Sequence, residues 1–143
     1  MAYMTTAIDI ARPVSEVYEY LLQFENMAEW AEDVEYSRKT SDGPVGTGTK
    51  FEVGQIMMGR ARNGTMELVE VDPERSIKGE AQVGPLALTL NFALEPVEGG
   101  TRVTVTGDGQ LPGPLKLLAP IGARRGRSIW AARLASLKKA LER

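Results

Sequence analysis

Leu86-Ala87-Leu88-Thr89-Leu90-Asn91-Phe92-Ala93-Leu94-Glu95-Pro96-Val97 is the stretch that decides the fold. Leu86, Leu88, Leu90, Phe92 and Leu94 alternate with Ala87, Thr89, Asn91, Ala93 and Glu95. That period of two belongs to a strand with one buried face. Glu98-Gly99-Gly100 then supplies a hairpin turn into Thr101–Gln110, whose Val103 and Val105 face the same interior. Upstream, Gly84-Pro85 connects to Ile77–Val83, with Ile77, Gly79, Ala81 and Val83 turned inward. Arg62–Asp72 is a further strand ended by Asp72-Pro73, and Leu68-Val69 and Val71 break its phase as a bulge does. Thr49–Met58 places Phe51, Val53, Gln55 and Met57 on one face, and Val34–Thr40 precedes it across the turn-forming Ser41–Gly46 cluster. Strands joined by such short turns form an antiparallel meander.

Both ends of the chain add to this sheet. Met4, Thr6, Ile8 and Ile10 alternate with Thr5, Ala7, Asp9 and Ala11, predicting one more strand. Pro13 suits a first helical position, and Val14, Val17, Tyr18, Leu21 and Leu22 follow with the spacing of an amphipathic helix. A second short helix is predicted over Glu25–Ala31, with Met27 and Trp30 on one side. Leu111–Gly126, broken by Pro112, Gly113, Pro114, Pro120, Gly122 and Gly126, reads as a loop or short helix. Beyond Arg127, Trp130, Leu134, Leu137 and Leu141 recur at helical spacing, a long helix capped only by the chain end. The fold class is therefore α+β in a single domain over residues 1–143. About seven antiparallel strands wrap around a long C-terminal helix, with two short helices after the first strand.

Composition removes several kinds of chemistry. With no cysteine and no histidine, the chain has neither a disulfide framework nor a Ser-His-Asp or Cys-His nucleophile system. The common zinc sites are missing too, and no acidic cluster has calcium-loop spacing, so no metal or other cofactor is expected. Met1–Pro13 carries Asp9 and lacks a basic start followed by an apolar run, which argues against a secretory leader and for a cytoplasmic protein. No apolar run approaches the roughly 20 residues of a membrane-spanning helix.

Charge is unevenly divided. Residues 1–112 carry nine Lys/Arg against eighteen Asp/Glu, whereas residues 113–143 carry eight Lys/Arg against Glu142 alone. The basic set is Lys116, Arg124, Arg125, Arg127, Arg133, Lys138, Lys139 and Arg143. It reads either as a solvated helix face attracted to an acidic body or as a docking patch. No nucleic-acid partner is expected, since only Trp130 interleaves the basic residues. Any membrane contact would be peripheral.

Local motifs carry a resemblance. Ile8-Asp9-Ile10-Ala11-Arg12-Pro13 leading into Val17-Tyr18, Asn26 through Trp30, Gly43–Phe51, Val69–Pro73 and Glu95–Val103 together resemble the START-like, or SRPBCC, superfamily. This is the helix-grip family that includes polyketide cyclases, the birch-pollen-allergen fold and lipid-transfer domains. The resemblance spans nearly the whole chain and implies a cavity between the sheet and the last helix. It is far less specific for activity than for fold. Gly43–Gly48 has the look of a phosphate loop, but it joins two strands and feeds no helix N-terminus, so the hairpin reading stands.

Candidate lining residues for that cavity are Trp30, Phe51, Gln55, Met57, Met66, Ala81, Leu88, Leu90 and Phe92, with Trp130 and Leu134 from the helix. Each also reads as ordinary core. Tyr36, Arg38 and Gln55 are the polar inward candidates; Tyr36 or Gln55 would orient a ligand oxygen, and Arg38 would recognise a carboxylate or enolate. Their placement depends on the register of the second strand, where a one-residue slip turns them outward. Asp108, between Gly107 and Gly109, reads as a turn residue at a bulge or as a general base at the cavity mouth. The leading expectation is a binding protein for a lipophilic small molecule: a polyketide, isoprenoid, sterol-like or fatty compound. Alternatives are an enzyme of the polyketide cyclase/dehydratase type, and an interaction module docking through its basic C-terminal helix.

Overall fold

Alternating apolar and polar residues become seven strands: β1 (Met4–Ile10), β2 (Val34–Lys39), β3 (Lys50–Met57), β4 (Arg60–Asp72), β5 (Ser76–Val83), β6 (Leu86–Val97) and β7 (Gly100–Gln110). The computed structural model describes residues 4–57, 59–84, 86–110 and 113–143. The strands make one antiparallel sheet in the order β1-β7-β6-β5-β4-β3-β2. Only β1 leaves the meander, pairing with the last strand from Met4 opposite Gly107 to Ile10 opposite Thr101. The helices are α1 (Val14–Leu22), α2 (Met27–Trp30) and α3 (Ala119–Leu141), with 3₁₀ turns at Phe24–Asn26 and Gly113–Leu118. This is the expected helix-grip layout: a curved antiparallel sheet, a long C-terminal helix and short helices after the first strand.

Two bulges set which side chains face inward. One lies in β4, where the pairing with β5 shifts between Leu68 and Glu70, as the broken alternation there predicts. The other lies in β2 at Glu35 and reverses the expected phase: Val34 faces Gln55, but Tyr36 faces Gly54 and Arg38 faces Glu52 on the outer side. Ser37 becomes the buried residue. Tyr36 can lie flat there because Gly54 has no side chain; a Cβ at Gly54 would sit 2.1 Å from the ring. No bulge forms around Asp108, which stays in register opposite Thr89.

Helix boundaries differ from expectation in three places. The short helix expected over Glu25–Ala31 divides into the 3₁₀ turn at Phe24–Asn26 and α2 at Met27–Trp30. Pro13 is the residue before α1 rather than its first member. More consequentially, α3 starts at Ala119 instead of beyond Arg127. Pro120 lies in the first turn, where no N–H donor is needed. Gly122 and Gly126 are carried inside the helix, although each weakens it by about 1 kcal/mol relative to alanine. No helix among the described residues is long and apolar enough to cross a membrane.

The C-terminus of α3 is fastened to the end of β1, so it is not capped by the chain end alone. Arg12 donates from Nε to the Leu141 carbonyl at 2.6 Å and from Nη2 to the Arg143 carbonyl at 3.2 Å. These are carbonyls that a helix end leaves without partners. Glu142 Oε2 accepts the Ala11 N–H at 2.8 Å and Lys138 Nζ at 2.6 Å, while Lys138 also donates to the Asp9 carbonyl at 3.0 Å. On the opposite edge, Glu25 Oε2 accepts the Lys39 N–H at 3.0 Å.

The backbone also meets closely at the β7 start, where a Cβ on Gly100 would fall 2.0 Å from the Ile10 carbonyl oxygen. Backbone cannot yield as a side-chain tip can. Gly100→Ala is therefore expected to destabilise by about 1–3 kcal/mol. Gly79→Ala, which meets the flexible end of Met66, should be milder; urea unfolding of both variants compares them. A second expectation concerns acid. The Ala11 N–H, with help from Lys138, holds the Glu142 carboxyl below its ordinary range. A depressed folded-state pKa adds stability above the unfolded value of about 4.3, and that stability fades as pH falls through the lower folded value. Glu142→Gln should thus lower the urea midpoint at pH 7 and converge with the parent in stronger acid.

Candidate functional site

The interior is built from aromatic side chains that pack without filling it. Phe51, Phe24, Phe92, Trp130 and Trp30 form a continuous chain of ring contacts with centroids 5.4, 6.5, 5.5 and 6.4 Å apart. These tilted and edge-on contacts fix one end of the core. Beyond it the sheet and α3 diverge around a cavity of about 380 Å³. Gly122 and Gly126 lie on its helical wall, where they contribute no side chains. Ile56, Leu86, Arg125 and Ile129 line the cavity while keeping exposure to solvent, and so mark its mouth.

Of the residues proposed from sequence, Gln55, Met66, Ala81, Leu88, Leu90 and Trp130 lie on the cavity wall. Trp30, Phe51, Phe92 and Leu134 do not: they are buried in the packed core behind it. Met57 ends β3, and its side chain lies outside the described residues. Gly79, on the inward face, lies under the Met66 thioether, which occupies its missing Cβ space.

The catalytic candidates lie on the outer face, a consequence of the β2 bulge and the regular β7 register. Arg38 pairs there with Glu52, and the Tyr36 hydroxyl is 3.1 Å from Asn63 Oδ1 and 3.3 Å from Glu52 Oε2. Desolvation and the Glu52 carboxylate raise the Tyr36 pKa, away from what an acid–base catalyst near neutrality needs. Asp108 lines a separate polar hollow, in a cross-strand row with Lys50, Glu67, Glu80 and Thr89. None of the three reaches the cavity.

The polar centre of the cavity comes instead from Arg133 and Asp33. Arg133, assigned from sequence to the exposed basic face, is only 7% exposed. Its Nε and Nη2 donate to the two Asp33 carboxylate oxygens at 2.9 and 2.6 Å, and Nη2 also donates to Gln55 Oε1 at 2.9 Å. The guanidinium stacks over Trp130 at 4.7 Å. The bulge at Glu35 accounts for this meeting, because it sets Val34 opposite Gln55 and so brings the preceding Asp33 beside the same strand. The Ile56 N–H donating to the Asp33 carbonyl at 2.8 Å secures the arrangement. Sequence reading missed the pair because a cation on a basic helix reads as solvated; the usable signal was its spacing, with Arg133 following Trp130 by three and preceding Leu137 by four. Two buried hydroxyls, Tyr18 and Ser37, lack hydrogen-bond partners among the described residues, but neither lines the cavity.

Comparison with known proteins agrees with this fold. Residues 1–142 match the sequence model of a family described as polyketide cyclase / dehydrase and lipid transport. No functionally curated protein matches the sequence significantly. Among solved structures, TTHA0849 from Thermus thermophilus superposes with a TM-score of 0.79 at 19% identity, covering 96% of this chain and 95% of its own. The Zhui aromatase/cyclase from a Streptomyces species gives 0.75 at 16% identity, with 98% and 93% covered. A START superfamily protein from Mycobacterium smegmatis gives 0.75 at 11% identity, with 97% and 96% covered. At these identities the likeness is one of fold.

Removing one partner of a buried ion pair leaves the other charge uncompensated, at a cost of roughly 3–5 kcal/mol. Asp33 is 31% exposed, which places Asp33→Ala toward the lower end of that range. Combining it with Arg133→Met should recover much of the loss, and a double-mutant cycle by urea unfolding measures the coupling.

Proposed function

Since the chain belongs to the START-like family of polyketide cyclases/dehydrases and lipid-transport proteins, we propose that it binds a lipophilic small molecule between the sheet and α3. The observation that carries this reading is the largely apolar cavity of about 380 Å³ with an exposed mouth and a polar cluster of buried Arg133 and Gln55 with Asp33. Ligand sites span roughly 300–1,000 Å³ and combine apolar walls with a few placed polar groups, so this one fits a compact guest. Burial of apolar surface at about 25 cal/mol per Å² supplies the driving force, less the ordering of ligand and wall. Met27, Met66 and Met4 on the wall suit a guest of irregular outline, because the thioether side chain repacks readily.

Binding is favoured over turnover by the composition of the wall. Its one carboxylate among the described residues is Asp33, and both of that carboxylate's oxygens accept from Arg133. A base must be free to take a proton from the substrate. This carboxylate is committed to a guanidinium. Among the described residues of the wall, no free carboxylate is left to act as a base for a cyclase-type reaction.

The neutral dye N-phenyl-1-naphthylamine tests the proposal. Its emission should rise and shift to the blue on binding, with one dye per chain. Ala81→Phe, which fills the cavity, should weaken binding at least tenfold while leaving the chain folded. Dye binding of equal strength in that variant would show that the cavity is not the site, and the proposal would fall.

A further inference from the structure

Arg133 leaves part of its donor capacity unused, and the residue lines the hollow. A guanidinium has five N–H donors and no acceptor. Nε and one Nη2 hydrogen go to Asp33, and the second Nη2 hydrogen goes to Gln55. Nη1 has no partner among the described residues. Because arginine can only donate, Gln55 must turn its carbonyl oxygen toward Arg133, which directs its amide NH₂ elsewhere. That amide also has no partner among the described residues. Both residues line the cavity. Two residues of the cavity lining thus each keep a donor, Arg133 Nη1 and Gln55 Nε2, without a partner among the described residues.

Charge narrows the chemistry further. Asp33 already balances the Arg133 guanidinium, and the other cation of the lining, Arg125, is exposed at the mouth. A ligand carboxylate arriving at this point would bring a second negative charge beside Asp33 and lose its own hydration, which apolar surroundings make costly. A neutral oxygen, in a ketone, quinone, ester or amide carbonyl, accepts the same hydrogen bonds without added charge. Trp130 stacked on the guanidinium and Asp33 bridged to it hold the donors in place before any ligand arrives. Little ordering is then needed on binding.

We propose that Arg133 Nη1 and Gln55 Nε2 form a subsite for the uncharged carbonyl oxygen of the lipophilic ligand, and that the Arg133–Asp33 pair selects against free carboxylates. This rests on the binding reading above and specifies the ligand's polar end. Arg38, assigned from sequence to a carboxylate or enolate, has no part in it.

Three naphthalenes with one common ring system test the subsite: 2-dimethylaminonaphthalene, its 6-propionyl ketone and its 6-carboxylic acid. A hydrogen bond from a charged donor supports about a tenfold or greater preference. The ketone should therefore bind the unaltered protein at least tenfold tighter than the parent amine, and the carboxylate should bind weakest at pH 7. The bound ketone's emission should lie to the red of its value in a dry apolar solvent, since hydrogen bonding to its carbonyl lowers the emitting state. Gln55→Leu, which keeps the Arg133–Asp33 pair, should reduce the ketone's advantage and shift its emission blue; Arg133→Met should abolish the advantage. Parent and ketone binding equally well would overturn the subsite while leaving the cavity reading intact. Tightest binding by the carboxylate would overturn the charge selection. Failure of all three to bind the unaltered protein would remove the cavity reading and the subsite with it. The comparison among ligands on the unaltered protein needs no variant to fold.

Discussion

A single helix covers a concave wall, and the structure depends on where that helix is fastened. Arg12 and Glu142 tie the last turn of α3 to the end of β1 through backbone groups that would otherwise lack partners. Around that anchorage Leu134 and Leu137 are buried and the packing is complete. Toward the other end of α3, Gly122 and Gly126 withhold side chains from the same face. One end of the sheet–helix interface is therefore solid core and the other a hollow, with the linked aromatic rings from Phe51 to Trp30 as the partition between them. A cavity in a well-packed protein needs such a partition, since interiors otherwise close to near-crystalline density.

Arg133 sits where these two regions meet. Burying a cation beside apolar rings is unfavourable unless hydrogen bonds and an opposite charge replace its hydration. Asp33, Gln55 and Trp130 together provide this from the start of β2, from β3 and from α3, and the bulge in the edge strand brings the first two into reach. The polar group of the cavity is thus a product of an irregularity in the sheet. A regular β2 would have sent Tyr36 and Arg38 inward instead.

That irregularity also marks the limit of what the sequence makes legible. Alternation is plain in β1, β3, β5, β6 and β7, where inward Val103, Val105, Leu90 and Phe92 are all buried. The interrupted phase at Leu68-Val69 announced its bulge because apolar residues fell on both faces. Nothing comparable announces Glu35: Val34-Glu35-Tyr36-Ser37-Arg38 alternates acceptably in either phase, and pairing with β3 across Gly54 decides between them. Arg133 was obscured for a related reason, since a cation on a basic helix is read as solvated unless its partner, 100 residues away in sequence, is known. Among apolar candidates, alternation identifies which side of a strand faces inward but not how deep a residue lies. Phe51 and Met66 share that inward side and a pairing position, yet one packs against Phe24 and the other borders empty space.

An open seven-strand sheet has two free margins, and each is obstructed by something already described. Along β2, the Glu35 bulge interrupts the straight run of backbone groups, and the Glu25 carboxylate occupies the Lys39 N–H. Along β1, the Lys138 ammonium occupies the Asp9 carbonyl, and Glu142 occupies the Ala11 N–H just beyond the strand. A strand from another molecule would have to displace charged side chains to continue the ladder at either side. The contacts that fasten the helix and shape the cavity thus also discourage runaway polymerisation by strand addition, a hazard for any protein whose sheet does not close on itself.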